Sequence, residues 1–332
     1  MMSTPRPMTA AGLLLAALLT TLAGCSPEPL GRDARQARNG PRAEPAVVPH
    51  DVRPLIQPGR KYFGAAVAGA PRSMEPVEAY AGMVGKKPNL IETYASWGDA
   101  LNEQGVRNAW EYGAMTVVSW EPHGTTLADI ADGKSDEYIK KYAAEVAELR
   151  LPLAISFADE MNGWWNDWGT RNNEPADYVR AWKHIHGLFT EAGAANVIWT
   201  WAPNVIQPAL SIDLKAYYPG DGYVDWVGLV GYFTTWEGET FDTLFGPTID
   251  AIRTFTRKPL LLLETASEPT EARTAVVRSL FAGVQSRDDV LGFVWFDHNK
   301  RADWRLSSTP VALAEFKRLA ADDMFGFDVR KP

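Results

Sequence analysis

Cysteine occurs once in the 332 residues, at position 25, which excludes an internal disulfide and any cysteine-built zinc cluster. Basic residues are outnumbered, 33 Lys and Arg against 41 Asp and Glu, and the formal charge of −8 argues against a nucleic-acid partner. No Gly-x-Gly-x-x-Gly fingerprint follows the first β-rich segment, and no phosphate loop, flavin or nicotinamide motif is present, so no cofactor is expected. Metal ligands are equally sparse. His184 and His186 lie two apart in a helical stretch and share no face, and Asp132-Gly133-Lys134-Ser135-Asp136 lacks the rest of a calcium loop, so no metal site is expected. The leading apolar run, 10–22, is too short to span a membrane.

That run, preceded by Arg6, has the length of an export signal. It ends in Leu22-Ala23-Gly24-Cys25, which resembles the bacterial lipobox, where the cysteine becomes the lipidated N-terminus after cleavage. A small-residue cleavage site with an incidental cysteine is the plainer alternative. Residues 1–24 are therefore expected to be a lipoprotein signal peptide. Residues 25–58, with seven prolines and five arginines, are expected to be a disordered tether, and 59–332 a folded domain. The chain would be exported, anchored through Cys25 on the extracytoplasmic side of a membrane, and monomeric.

From Lys61 onward, short β-rich runs alternate with amphipathic stretches of helical period, the pattern of βα units on a parallel sheet. Strands are expected at 62–68, 90–94, 115–120, 153–157, 197–201, 226–232, 260–263 and 291–296, with helices including 136–149, 176–192, 242–255, 271–285 and 311–320. Eight such units fit a single (β/α)8 TIM barrel better than a doubly wound sheet.

A barrel builds its site where strands end. Carboxylates, aromatics and hydrogen-bonding groups gather at those exits, as a polar, ring-shaped substrate requires. Glu160 follows the apolar stretch 151–158 and Glu264 follows 260–263, positions where a charged group is costly unless it has a task, and no basic residue flanks either. Exits four and seven face each other across a barrel mouth. Such a pair suits glycoside hydrolysis, in which one carboxyl is protonated and donates to the leaving oxygen while the other is ionised. A buried ion pair is the competing structural reading.

Phe157-Ala158-Asp159-Glu160-Met161-Asn162-Gly163-Trp164-Trp165, Tyr217-Tyr218-Pro219-Gly220-Asp221 with Val224-Asp225-Trp226-Val227-Gly228, and Leu262-Leu263-Glu264-Thr265-Ala266 resemble glycoside hydrolase family 26. Val294-Trp295-Phe296-Asp297 with Asp303-Trp304-Arg305 adds to the likeness, which covers most of residues 60–325. The resemblance implies a retaining endo-β-glycanase acting on a β-linked polysaccharide or oligosaccharide, β-1,4-mannan foremost, with β-1,3-1,4-glucan and β-1,3-xylan as the family's other substrates. It makes Glu160 the acid/base and Glu264 the nucleophile. It also makes Trp165 the platform under the sugar at the cleavage point, and Tyr232 the hydrogen-bond donor to the nucleophile.

One position departs from the family pattern, which usually has histidine before the acid/base; here it is Asp159. An ionised aspartate there would raise the nucleophile's pKa unless it is protonated or paired. His123 and His298, at other strand exits, are candidates for the missing imidazole. Trp97, Trp120, Trp165, Trp201 and Trp295 are candidates for sugar stacking, and Asn162, Asn204 and Glu92 for binding hydroxyls. Trp110, Trp182, Trp199 and Trp226 fall where packing is expected. The alternative to an enzyme is a polysaccharide-binding lipoprotein that keeps the aromatic cleft without turnover.

Overall fold

A computed structural model describes residues 51–206, 212–235 and 238–332. The expected signal peptide, the lipidated Cys25 and the tether up to residue 50 lie outside the described residues.

Eight parallel strands close into a barrel in sequence order: β1 (Tyr62–Ala66), β2 (Leu90–Ser96), β3 (Met115–Glu121), β4 (Leu153–Phe157), β5 (Val197–Trp201), β6 (Trp226–Val230), β7 (Leu260–Thr265) and β8 (Val290–Phe296), with β8 pairing back onto β1. The helices are α1 (Arg53–Ile56), α2 (Glu75–Val84), α3 (Glu103–Tyr112), α4 (Leu127–Ala131), α5 (Asp136–Leu149), α6 (Pro175–Glu191), α7 (Phe241–Leu244), α8 (Gly246–Ile252), α9 (Arg273–Gln285) and α10 (Pro310–Ala320). The TIM barrel expected from the spacing is therefore the fold. Most element ends shift by one or two residues, and two larger differences stand out. The helix expected over 242–255 is split at Phe245-Gly246-Pro247, because proline has no N–H to donate into a continuous helix. The tether expected over 25–58 overlaps α1, which docks under the barrel: Tyr62 Oη donates to the Leu55 carbonyl (2.6 Å) and Trp226 Nε1 to that of Ile56 (2.8 Å).

Strand parity sorts the side chains into two layers. Ser119 donates to Glu92, so residues 117, 119 and 121 of β3 and 90, 92 and 94 of β2 face the barrel axis. Trp120, one residue out of step, faces the helices, where its ring stacks on Tyr142 at 4.6 Å. The barrel wall is tight enough to dictate backbone chemistry. Gly292 (φ +146°) lies opposite Tyr62, and a Cβ there would meet the Tyr62 carbonyl oxygen at 2.1 Å. Gly187 on α6, in contrast, has open space around it. Gly292→Ala is expected to cost about 3 kcal/mol or more, lowering Tm by about 6 °C or more, while Gly187→Ala gains ~0.5–1 kcal/mol. Thermal unfolding followed by circular dichroism checks both; equal effects would show that the β1–β8 seam is not close-packed.

Candidate active site

Both glutamates reach the barrel mouth by local irregularities. Ala158 (φ +49°) and Glu160 (φ +53°) adopt left-handed backbone, which turns the chain sharply at the end of β4, and the Glu160 N–H is tied to the Ala202 carbonyl at 2.8 Å. On β7, Leu229 pairs with Leu262 but Val230 with Glu264, so one extra residue bulges out just before Glu264 and breaks the two-residue alternation. Both side chains line one cavity of about 320 Å³, together with Tyr94, Glu121, Asp159, Trp165, Asn204, Tyr232 and Trp304.

Each carboxyl is held by directed donors. Glu264 accepts hydrogen bonds from Tyr232 Oη on Oε1 and from Tyr94 Oη on Oε2. Glu160 accepts from Asn204 Nδ2 (2.5 Å) and Trp165 Nε1 (3.0 Å). Behind Asn204 sits Asn162, which donates to the Asn204 carbonyl and accepts from its N–H, each at 2.8 Å. Asn162, which the sequence had suggested for binding hydroxyls, is buried and spends both its amide oxygen and nitrogen on Asn204. Trp304 packs on Tyr232 at 4.7 Å, and the loop carrying it is pinned by fully buried Arg273, which donates to the carbonyls of Trp304 (2.6 Å) and Arg305 (3.0 Å).

Burial raises the pKa of both glutamates. Glu264 is pushed up to about 7 by burial and by the neighbouring Glu160 charge, against the pull of the two tyrosine hydroxyls. Burial likewise lifts Glu160, opposed by Trp165 and Asn204. Asp159, buried with Oδ1 unpartnered, is driven well above the usual carboxylate range by burial and then by Glu160, Glu121 and Glu264. That direction favours the uncharged form of Asp159, which weakens the repulsion its position had suggested. Glu92 lies deeper, accepts from Ser119 (2.9 Å), and is also raised by burial, so it serves under the site and lines an adjoining cavity.

Four tryptophans expected to stack sugars do not face the cavity. Trp120, Trp201 and Trp295 are fully buried between strands and helices: their indole N–H groups bond Tyr138 Oη and the carbonyls of Tyr217 and Trp304. Trp97 donates to Ser135 and packs on Trp120 and Tyr138. Outward parity explains each strand tryptophan. The buried Trp182, Trp199 and Trp226 pack as expected. His123 sits at the rim, 3.4 Å from both Glu121 and Asp167, and His298 stacks on Phe296 at 4.3 Å. Among the described residues, hydroxyls and no imidazole contact Glu264. Tyr94 went unnoticed in the sequence, although it lies two residues beyond Glu92 and so shares its face.

The donors predict a measurable shift. Removing an O–H that stabilises the ionised form raises a carboxyl pKa, so Tyr94→Phe and Tyr232→Phe are each expected to move the Glu264 titration upward from about 7. Carboxyl-carbon NMR across the pH range reads this directly; an unmoved midpoint would show that the hydroxyls do not hold the charge.

Known proteins resemble this chain in sequence and fold. The sequence profile of Glycosyl hydrolase family 26 matches residues 128–249. Endoglucanase H of Acetivibrio thermocellus is 27% identical over 77% of this chain, which spans 30% of that protein. The mannan endo-1,4-beta-mannosidase A and B of Caldalkalibacillus mannanilyticus is 36% identical over 33% of this chain, a match spanning 21% of that protein. A modular endo-beta-1,4-mannanase from Cellulomonas fimi superposes with a TM-score of 0.63 at 17% identity, over 82% of this chain and 74% of that one, and has the same fold. The profile match over residues 128–249, the relative aligned along three-quarters of the chain and the shared barrel make the chain similar to glycoside hydrolase family 26.

Proposed function

We propose that the chain is a retaining endo-β-glycanase that hydrolyses a β-linked polysaccharide, β-1,4-mannan foremost. The observation that carries this reading is the convergence of Glu160 and Glu264, from opposite sides of the barrel, on one cavity walled by aromatic and hydrogen-bonding groups. In the reaction, a Glu264 oxygen bonds to the anomeric carbon while protonated Glu160 gives its proton to the departing glycosidic oxygen. The ionised Glu160 then takes a proton from water, whose oxygen displaces Glu264 and leaves the configuration retained. Tyr94 and Tyr232 steady the Glu264 charge before attack, and Trp165 and Asn204 aim Glu160.

A second reading within the same chemistry is a β-glucan substrate, favoured by the likeness to a protein named endoglucanase along most of the chain. The test is product release from mannan, galactomannan, mixed-linkage β-glucan and β-1,3-xylan by the full chain in detergent, with Glu264→Ala alongside. One polymer should be cut, and the variant should lose at least about 10³-fold in kcat. Glu264 must be ionised to attack, so activity should rise as pH increases toward about 7, and it should fall again on the alkaline side where Glu160, raised by burial, loses its proton. Retention of a polymer without cleavage would instead establish the binding-protein alternative.

We also propose that the enzyme is exported and held to a membrane by lipid on Cys25, a reading supported by the Leu-Ala-Gly-Cys run and the proline-rich segment after it. Among the described residues no helix is long and apolar enough to cross a membrane. Cys25→Ser is expected to abolish incorporation of labelled palmitate and to move the protein out of the membrane fraction; unchanged labelling would overturn the anchor.

A further inference from the structure

Beyond β8, two short strands, β9 (Asn299–Lys300) and β10 (Ala302–Asp303), form a hairpin that places Lys300 and Arg301 on the wall of the catalytic cavity. Among the described residues lining it these are the only basic side chains, and both are exposed. The other walls carry Glu121, Asp159, Glu160 and Glu264, whose ionised forms would attract a cation. Yet neither Lys300 nor Arg301 makes a side-chain hydrogen bond or an ion pair within the described residues.

That isolation is unusual in this protein. Nearly every described arginine is engaged: Arg53, Arg180, Arg253, Arg287, Arg305, Arg318 and Arg330 all bond carboxylates. Among the described arginines only Arg72, Arg150 and Arg301 have no side-chain hydrogen bond, ion pair or ring contact. Two of those three line cavities at the barrel mouth. Arg72 lies on the wall of an adjoining cavity of about 550 Å³, which shares Tyr94 with the catalytic one.

The hairpin does not need these side chains for its own fold. Arg301 holds φ +62°, a left-handed conformation that glycine or asparagine adopts more readily. The hairpin's link to the site runs through backbone, since Trp304 Nε1 donates to the Lys300 carbonyl at 2.8 Å. A cation pair at a strained tip, beside the reacting bond and bound to nothing, is complementary to a ligand anion.

Resting on the glycosidase reading above, we propose that Lys300 and Arg301 receive a carboxylate carried by the polysaccharide, so that the enzyme prefers chains bearing uronate residues next to the scissile bond. Arg72 is placed to read a further carboxylate along the same chain. A neutral β-glycan has no group that would satisfy these cations beyond its hydroxyls.

The test compares the full chain in detergent on β-mannan and mixed-linkage β-glucan with the same polymers after selective oxidation of their C6 hydroxyls to carboxylates. The expected result is a kcat/KM roughly five- to tenfold higher on an oxidised polymer. The advantage should shrink in high salt and vanish in the double variant Lys300→Ala, Arg301→Asn, in which asparagine keeps the left-handed turn. Calorimetry of Glu264→Ala with oxidised and neutral oligosaccharides gives the same comparison without turnover. Equal or poorer cleavage and binding of the oxidised forms, or an advantage that survives the double variant, overturns the proposal. Cleavage without charge preference sinks only this inference, while charge-dependent binding without cleavage of any polymer sinks only the glycosidase reading.

Discussion

Removing two carboxyl groups from bulk water at the rim of an apolar barrel is expensive, and the mouth of this protein is organised around meeting that cost with fixed donors. Glu264 is met by two phenolic hydroxyls, and Glu160 by an indole N–H and an amide. Each donor is itself held. The reciprocal bonds between Asn162 and Asn204 fix the amide, and Trp304 backs Tyr232. Arg273, buried and donating to two carbonyls and to the hydroxyls of Ser308 and Thr309, fixes the loop that brings Trp304 into place. The strained backbone at Glu160 and the bulge before Glu264 are held by the same surrounding framework.

The crowding also decides which groups are charged. Glu92, Glu121, Asp159, Glu160 and Glu264 interact closely enough that each of Glu92, Asp159 and Glu264 is raised in part by another of the set. Burial favours the neutral form of Asp159, so the acid at this position, usually histidine in the family the chain resembles, adds less charge beside Glu264. The weight of holding Glu264 falls on Tyr94 and Tyr232 instead. Across the cavity, Lys300 lowers the pKa of Glu264 and Arg301 that of Glu160 through space, without either cation being consumed in an ion pair. The hairpin tip thus combines a background field on the catalytic pair with donors still open to a ligand.

How far the sequence could be read depended on the kind of signal. Periodicity alone located all eight strands, because parallel barrel strands are buried on both faces and appear as apolar runs separated by amphipathic helices. The same burial hid their parity. In a run such as Thr-Val-Val-Ser-Trp-Glu nothing in composition separates inward from outward, and a tryptophan at a strand exit is as apt for the helix layer as for the cleft. Trp120, Trp201 and Trp295 went outward for that reason, while Tyr94 inward was recoverable from Glu92 by counting two.

The sequence by itself determined the architecture, the two glutamates at opposite exits and the family resemblance, since these rest on local patterns: apolar period, a charge directly after an apolar run, and short contiguous motifs. Tertiary structure decided which groups touch those glutamates, because Tyr94, Asn204 and Tyr232 come from three different strand ends whose approach depends on barrel closure and on one bulged residue. It also decided the charge of Asp159 and the openness of Lys300 and Arg301. Those properties belong to the dielectric and the neighbours of a side chain, which distant parts of the chain supply.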